Sequence, residues 1–525
     1  MSIMKKVLYI SLLFLMPFCV SCINDLGNDV MTEINKIEIS GIEESYSVIA
    51  KQETLVINPE IKGSLSASDE SNLSYEWFLC DNGITNHNHY TISTERNLNY
   101  FVESTPANYT LHFAVTDNST GIKWEHETSL SIVSPMVRGF YLMGDKADGT
   151  VAMDFMSYIE GRDTTIISDV YKNTKGLKGV KSGVFTGYYI TADVINLWVV
   201  AENGSYQLEN SASLTEFTEM TAMADPNSFI FPTVPVEKPQ QVMDILPHPY
   251  GKANTNRCRS YARIMLTKDA AYGTSMMSLP EAYGNPFNRY STSSTELFKL
   301  SPYIFHKDNA TSVSAIMLFD ETNHCFSKCN YSSYGAPTYS TKMSNDGTPF
   351  YLDQTKYTPV RDLVYGQNGY GNAGRSYALM TNENGEYFIY TFTVANASTI
   401  TAHAAYDVDF SVATDFDKAS HYAFFTLQPI ILYSVGSNLY AYDYSRKECV
   451  LVNTFDSEIT YLAMDYESNN DTKHVWVATY GGGKGKVYGY NVADNQNAVQ
   501  VTPVQHEVFE TGVKVVKMVY RNVAN

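Results

Sequence analysis

The segment Val194-Ile195-Asn196-Leu197-Trp198-Val199-Val200-Ala201-Glu202-Asn203-Gly204-Ser205-Tyr206 is an apolar run that ends in a Glu-Asn-Gly corner and returns through Ser-Tyr. Asn-Gly suits the positive-φ positions of a tight hairpin, so the segment reads as two antiparallel strands. Met380-Thr381-Asn382-Glu383-Asn384-Gly385-Glu386-Tyr387 repeats the design, and Ser434-Val435-Gly436-Ser437-Asn438-Leu439-Tyr440 is a third return. Outward from these corners, apolar strands recur at Phe140-Tyr141-Leu142, Tyr261 to Leu266, Val313 to Phe319, Ser376 to Met380, Ile430 to Ser434 and Val475 to Tyr480, with centres 45 to 66 residues apart. Arg259-Ser260-Tyr261-Ala262 and Arg375-Ser376-Tyr377-Ala378 repeat four residues at two of them. Seven units of this length fit a blade series better than one sandwich, which predicts a seven-bladed β-propeller over residues 136–525. The spread of spacings leaves six or eight blades open. A last strand, Val513 to Tyr520, is expected to pair beside Phe140 and remove an exposed edge.

Residues 34–135 have a shorter rhythm. Ile37-Glu38-Ile39 and Thr54 to Ile57 are short strands, and Leu73-Ser74-Tyr75-Glu76-Trp77-Phe78-Leu79 places Tyr75, Trp77 and Leu79 on one face. Tyr109 to Val115 alternates again, Asp117 to Gly121 turns, and Trp124 to Val133 closes the module. Short β-branched and aromatic runs between polar turns predict two packed antiparallel sheets, with Trp77 as the core anchor. The fold class is therefore all-β, a sandwich followed by a propeller.

Composition narrows the function. The 525 residues carry 37 basic and 56 acidic side chains, a formal charge of −19, which argues against a nucleic-acid binder. Tyrosine is abundant at 40 residues against 4 tryptophans and favours sheets and contact surfaces. Lys5-Lys6, the apolar run Val7 to Met16 and the small-residue end Ser21-Cys22 describe an export signal over residues 1–21. Its removal takes two lysines, so the side-chain charge falls to −21. Five cysteines then follow Cys22 (Cys80, Cys258, Cys325, Cys329 and Cys449), too few for a disulfide scaffold. Cys325 and Cys329 enclose three residues, a spacing that suits buried thiols or one local bridge better than metal or redox chemistry.

Motifs for chemistry fail on context. Gly481-Gly482-Gly483-Lys484-Gly485-Lys486 lacks the phosphate-loop pattern and leads into a strand, so it reads as a hairpin. Asp465 to Asp471 does not match the EF-hand spacing, and His87 and His89 lack further ligands, so no metal or cofactor is expected. Asp145, Asp148, His248, Arg257, His324, Arg361, Asp362 and Arg375 are contributors to a loop-built active site if the chain is an enzyme, although nothing in the sequence makes them converge. For binding, Tyr283, Tyr290, Tyr331, Tyr334, Tyr339, Tyr365 and Tyr370 supply aromatic platforms in the long central loops.

Three resemblances add to these readings. Ser21-Cys22 resembles a bacterial lipoprotein box, with Cys19 where that family usually has Leu; it implies lipidation at Cys22. The following Asp25 and Asp29, in the linker 22–33, resemble the surface-export signals of Bacteroides-type lipoproteins. Tyr75-Glu76-Trp77, Ala107 to Leu111 and Val115-Thr116-Asp117 look like the immunoglobulin-like PKD fold, with Asn108 where Gly is frequent. Together they are similar to PKD-like surface lipoproteins of Bacteroides-type bacteria. That implies an outer-membrane protein facing the exterior, which helps capture a glycan, peptide or protein nutrient for a TonB-dependent transporter and a partner nutrient-binding lipoprotein. The alternatives are a propeller glycoside hydrolase or polysaccharide lyase, and a non-catalytic structural or adhesion protein.

Overall fold

The computed structural model describes residues 34–64, 70–81, 88–187, 195–208, 222–246, 263–275, 281–306, 315–330, 335–369, 374–394, 400–468 and 472–522. Apart from four short 3-10 turns, the regular elements among these residues are β-strands. No helix among them is long and apolar enough to cross a membrane. The expectation of a β-protein holds. The chain separates into two compact units, one built from segments up to Leu130 and the other mainly from Ser131 onward.

The N-terminal unit contains a five-stranded sheet in the order Ser45–Ile49, Lys123–Val133, Ala107–Asp117, Leu73–Asp81, His89–Ser93. Two-stranded ribbons pair Ile37–Ser40 with Glu60–Gly63 and Thr54–Ile57 with Leu98–Phe101. Trp77 is fully buried and stacks on Phe113 at 4.2 Å. Its indole N–H donates to the carbonyls of Glu95 and Arg96 at 3.1 and 3.3 Å, so the anchor also satisfies its one polar atom.

The second unit consists of seven consecutive antiparallel sheets among the described residues. Six are four-stranded, and the third has three strands. The leading strands of sheets two to seven are Val180–Gly187, Val242–Leu246, Leu300–His306, Arg361–Asn368, His421–Phe425 and Glu458–Met464. The first sheet is different. Its strand Arg138–Asp145 pairs with the C-terminal strand Lys514–Asn522, so that Phe140 faces Tyr520 and Leu142 faces Met518. The pairing expected for Val513 to Tyr520 is thus present. At Gly144 the register shifts, and a Cβ there would lie 1.8 Å from the Lys514 carbonyl, which only glycine permits.

All seven apolar runs picked out by spacing fall in different sheets, each beside the leading or terminal strand: Arg138–Asp145, Ile195–Ala201, Ile264–Thr267, Ala315–Asp320, Ser376–Asn382, Ile430–Val435 and His474–Gly481. Their continuous hydrophobicity has a physical cause. Successive residues on a strand face opposite ways. Leu197 and Val199 enter an apolar cluster shared with the first sheet, whereas Trp198 and Val200 enter one shared with the third. Each further cluster joins the next two sheets in order, and the last joins Trp476 and Ala478 of the seventh to Phe140 and Leu142 of the first. The leading strands also touch in sequence order, and Glu458–Met464 and Val180–Gly187 both contact the terminal strand.

The Gly-rich hairpin follows its corner chemistry, whereas at the Glu-Asn-Gly corner Gly204 already pairs with Ala201 and neither Glu202 nor Asn203 takes a positive φ. Gly482 and Gly483 take φ of 60° and 80° between paired Gly481 and Lys484, as a two-residue hairpin requires. Cys325 and Cys329 are free, buried thiols on Cys325–Asn330, and burial raises the Cys329 thiol to about 12. Asp465 is buried, accepts from the Ser468 N–H at 2.9 Å and from the Trp476 indole at 3.1 Å, and serves as a turn and core acceptor.

Candidate functional site

A cavity of about 630 Å³ is walled by the leading strands and the terminal strand. Lys181 and Ser182 come from the second sheet, Asp244 from the third, Tyr303 and His306 from the fourth, Tyr365 to Asn368 from the fifth, Tyr461, Tyr466 and Glu467 from the seventh and Lys517 from the terminal strand. Leading strands approach closely here: a Cβ on Gly366 would lie 2.6 Å from Tyr303 Cβ and 2.7 Å from the Phe305 ring. That glycine lets two strands meet at the wall.

Polar side chains fix the wall across sheet boundaries. Gln367 accepts from the Phe424 N–H at 2.8 Å and donates to the Phe424 carbonyl at 2.8 Å, binding the fifth sheet to the sixth as a strand neighbour would. Tyr466 also donates to that carbonyl, and Tyr365 donates to Gln367 Oε1 at 3.1 Å. Asn368 donates to the Ile304 carbonyl and accepts from the His306 N–H, binding the fifth sheet to the fourth. Ser182 donates to Asp244 Oδ1 at 2.6 Å, and Thr460 donates to the Val515 carbonyl at 2.7 Å. These bonds replace backbone ladders where one sheet meets the next.

The exposed chemistry of the cavity is aromatic and neutral at the phenols. Tyr303 meets Tyr365 edge-on at 5.4 Å, and Tyr365 lies over Phe424. Burial raises the pKa of Tyr303, Tyr365, Tyr461 and Tyr466, so all four hydroxyls keep their protons. Charge is confined to a few positions. Lys181 pairs with Glu202 at 2.6 Å, and Glu467 accepts the Tyr520 N–H at 2.7 Å. A half-buried wall of this kind can stack on a ring and exchange hydrogen bonds with hydroxyl or amide groups.

Of the tyrosines predicted as contact residues, Tyr365 lines this cavity. Tyr283 is fully buried in the core between the second and third sheets, with its hydroxyl on Glu281 at 2.8 Å. Tyr290 stacks on Phe298 and bonds Asp320 and Ser327. Tyr339 is exposed, whereas Tyr331, Tyr334 and Tyr370 lie outside the described residues, as do Cys22, His87, His248 and Arg257. Tyr303, Tyr461, Tyr466 and Gln367 escaped the sequence reading because the leading strands carry no unbroken apolar run. Their signal is positional: each lies in or just after the strand preceding an apolar run.

The described residues among those considered for catalysis do not gather in that cavity. Asp145 accepts from the Gly179 and Val180 N–H groups, and Asp148 caps a turn through Thr150. Arg361 lies between the rings of Tyr357 and Phe388 at 3.7 and 3.3 Å and donates to Tyr390. His324 and Asp362 do meet, at 2.7 Å, on an exposed surface. For a metal, His112, Glu125 and Glu127 on the N-terminal unit place three ligand atoms within 4.8 Å of one another, with His112 Nδ1 2.5 Å from Glu125. His89 bonds Glu76 at 2.9 Å and stacks on Phe78.

A family model described as PKD-like matches residues 22–181, which identifies an N-terminal PKD-like domain and extends past the sandwich boundary expected at 135. No curated protein matches the chain. Among solved structures, a quinonprotein alcohol dehydrogenase-like protein from Bacteroides thetaiotaomicron is similar at 14% identity and a TM-score of 0.35, over 91% of this chain and 97% of the other. The β-propeller domain of Nup133 from Vanderwaltozyma polyspora aligns at 9% identity and 0.33, over 69% and 93%. The Aleuria aurantia lectin aligns at 7% identity and 0.28, over 76% and 92%. Likenesses this distant carry no inference about function.

Proposed function

We propose that the second unit is a seven-bladed β-propeller and that the protein captures an extracellular nutrient, a glycan, peptide or protein, at its tyrosine-lined cavity without transforming it. The architecture is supported by seven successive sheets whose shared apolar clusters run in order and return to the first, with a sheet completed from both chain ends. The observation that carries the function is the cavity of about 630 Å³, with neutral phenols on several converging strands. Cys22, where the PKD-like match begins, is the proposed lipid site, and the mature protein faces the cell exterior beside a TonB-dependent transporter and its partner nutrient-binding lipoprotein. The N-terminal unit acts as an immunoglobulin-like spacer.

The full chain is titrated with dietary and host glycans, peptides and heme proteins while both binding and product formation are followed. Saturable binding of an unchanged ligand, weakened about tenfold in Tyr303→Ala and Tyr365→Ala, is the expected result. Turnover would establish an enzyme instead, and no binding across the panel would leave a structural role. Acyl labelling tests the anchor: Cys22→Ala should lose the lipid.

A further inference from the structure

A second cleft, of about 280 Å³, lies between the fifth and sixth sheets. Arg375, Tyr377, Thr391 and Tyr406 come from the fifth sheet and its approaches, and Thr426 and Tyr444 from the sixth. Tyr377 and Tyr444 are buried, and Tyr406 packs against Tyr444 at 4.9 Å. Tyr377 stacks on Phe424 at 4.7 Å, so the aromatic wall is held from behind.

Arg375 is the unusual element. Its carbonyl accepts the Gly369 N–H, which fixes the backbone, but its buried Nε has no hydrogen-bond acceptor among the described residues. No described carboxylate pairs with it, and the adjoining stretches 370–373 and 395–399 contain no acidic residue. The other buried or half-buried arginines described in this unit have acceptors. Arg446 pairs with Asp443 at 2.9 Å, and Arg289 donates to the carbonyls of Thr292, Ser294 and Thr338. A guanidinium turned into a partly dry cleft without an acceptor is costly, and an incoming anion relieves that cost. Its planar fork fits a carboxylate through two parallel bonds. Burial together with the nearby Arg375 charge lowers the His403 pKa in the same cleft, which agrees with a positive charge left unneutralised.

We propose that this cleft binds a hexuronate unit of an acidic glycan, with the carboxylate on Arg375, the sugar ring against the tyrosine wall and a ring hydroxyl on Thr391. Its volume suits about one sugar ring, and the alternation of aromatic faces with hydroxyls matches a ring that carries vicinal hydroxyls. The full chain has a formal charge of −19, so attraction of a polyanion is local to this guanidinium and falls with added salt. The site is separate from the tyrosine-lined cavity and stands or falls without it.

Calorimetric titration of the full chain uses trimers of D-galacturonate and D-glucuronate, the methyl-esterified trimers, acetate, and a tripeptide with a free C-terminal carboxylate. At least one acidic trimer should bind saturably, its ester at least tenfold more weakly. Arg375→Gln should reduce binding of the acid to the level of the ester, and Arg375→Lys should recover it only in part. Failure of both acidic trimers, equal binding of acid and ester, or unchanged binding in a folded Arg375→Gln protein overturns the site. Acetate or the tripeptide binding as tightly as the trimer overturns the sugar assignment. If Arg375→Gln does not fold, the acid-against-ester comparison on the unaltered protein still decides.

Discussion

Strands of the N-terminal unit and of the second unit use β-structure differently. Lys123–Val133 alternates between exposed and buried positions for much of its length, and Phe78 on Leu73–Asp81 of the same sheet is sandwiched between the rings of His89 and His112. Val151–Ser157 and Ala315–Asp320, by contrast, are buried at every position. A sheet with one wet face accepts a polar residue at every second place, whereas one covered on both faces needs apolar residues throughout or a partner for each polar one. The second unit therefore spends its polar side chains on fixed tasks. Asp154 accepts from the Asp169 and Gly512 N–H groups and from the Thr511 hydroxyl, and Asp320 and Asp443 each accept two turn N–H groups.

The sharpest way to break this contrast is to remove the strand that the two chain ends share. Deleting residues 513–525 strips the partner from Arg138–Asp145 and opens the cluster containing Phe140, Trp476 and Met518. Loss of the cooperative urea transition of the second unit is expected, with the transition that reports on Trp77 retained. A variant that unfolds at the unaltered midpoint would show that the terminal strand is dispensable.

A smaller effect comes from Trp198→Ala. The side chain is fully buried, contributes to the core between the second and third sheets and donates to Thr186 at 2.8 Å. A loss of about 3–5 kcal/mol is expected from denaturation midpoints, the range for large-to-small changes in a closed core. Gln367→Ala should cost about 1–3 kcal/mol, because it leaves the Phe424 N–H without its acceptor and removes one of two side-chain donors to the Phe424 carbonyl, the other being Tyr466. Its signature is local: faster amide exchange at Phe424 than at Leu432.

The smallest effect is one of pH. Burial lowers the His421 pKa below its ordinary value of 6.5, so the folded protein prefers the neutral ring. The unfolded chain takes up the proton first as pH falls below 6.5, and the stability this ring contributes above that value declines on acidification through the lowered folded pKa. His421→Asn should flatten the fall of Tm in that window. An unchanged slope would remove His421 as its source.

The contrast also explains what was legible. Runs such as Leu197-Trp198-Val199-Val200 stand out because both faces are buried, so the seven second-position strands could be found by spacing alone. The leading strand Arg361–Asn368 is half-buried along most of its length, and its cavity-facing Tyr365 and Gln367 look like any loop residues in one dimension. Tyr283 reads as a platform in a long central loop, yet tertiary packing buries it in the core, including through a hydrogen bond from Tyr283 N to the Phe229 carbonyl. Arg375 was legible as a repeated tetrapeptide, but its missing acceptor appears only when the fifth and sixth sheets are side by side.

The most direct test of capture at the tyrosine-lined cavity is a crystal structure of the full chain grown with the ligand retained from the binding panel. Electron density for an intact ligand against Tyr303 and Tyr365, within hydrogen-bond reach of the Tyr461 or Tyr466 hydroxyl, is the expected result. Ligand bound on an outer strand while the cavity stays empty, or a cleaved product in the cavity, would contradict it.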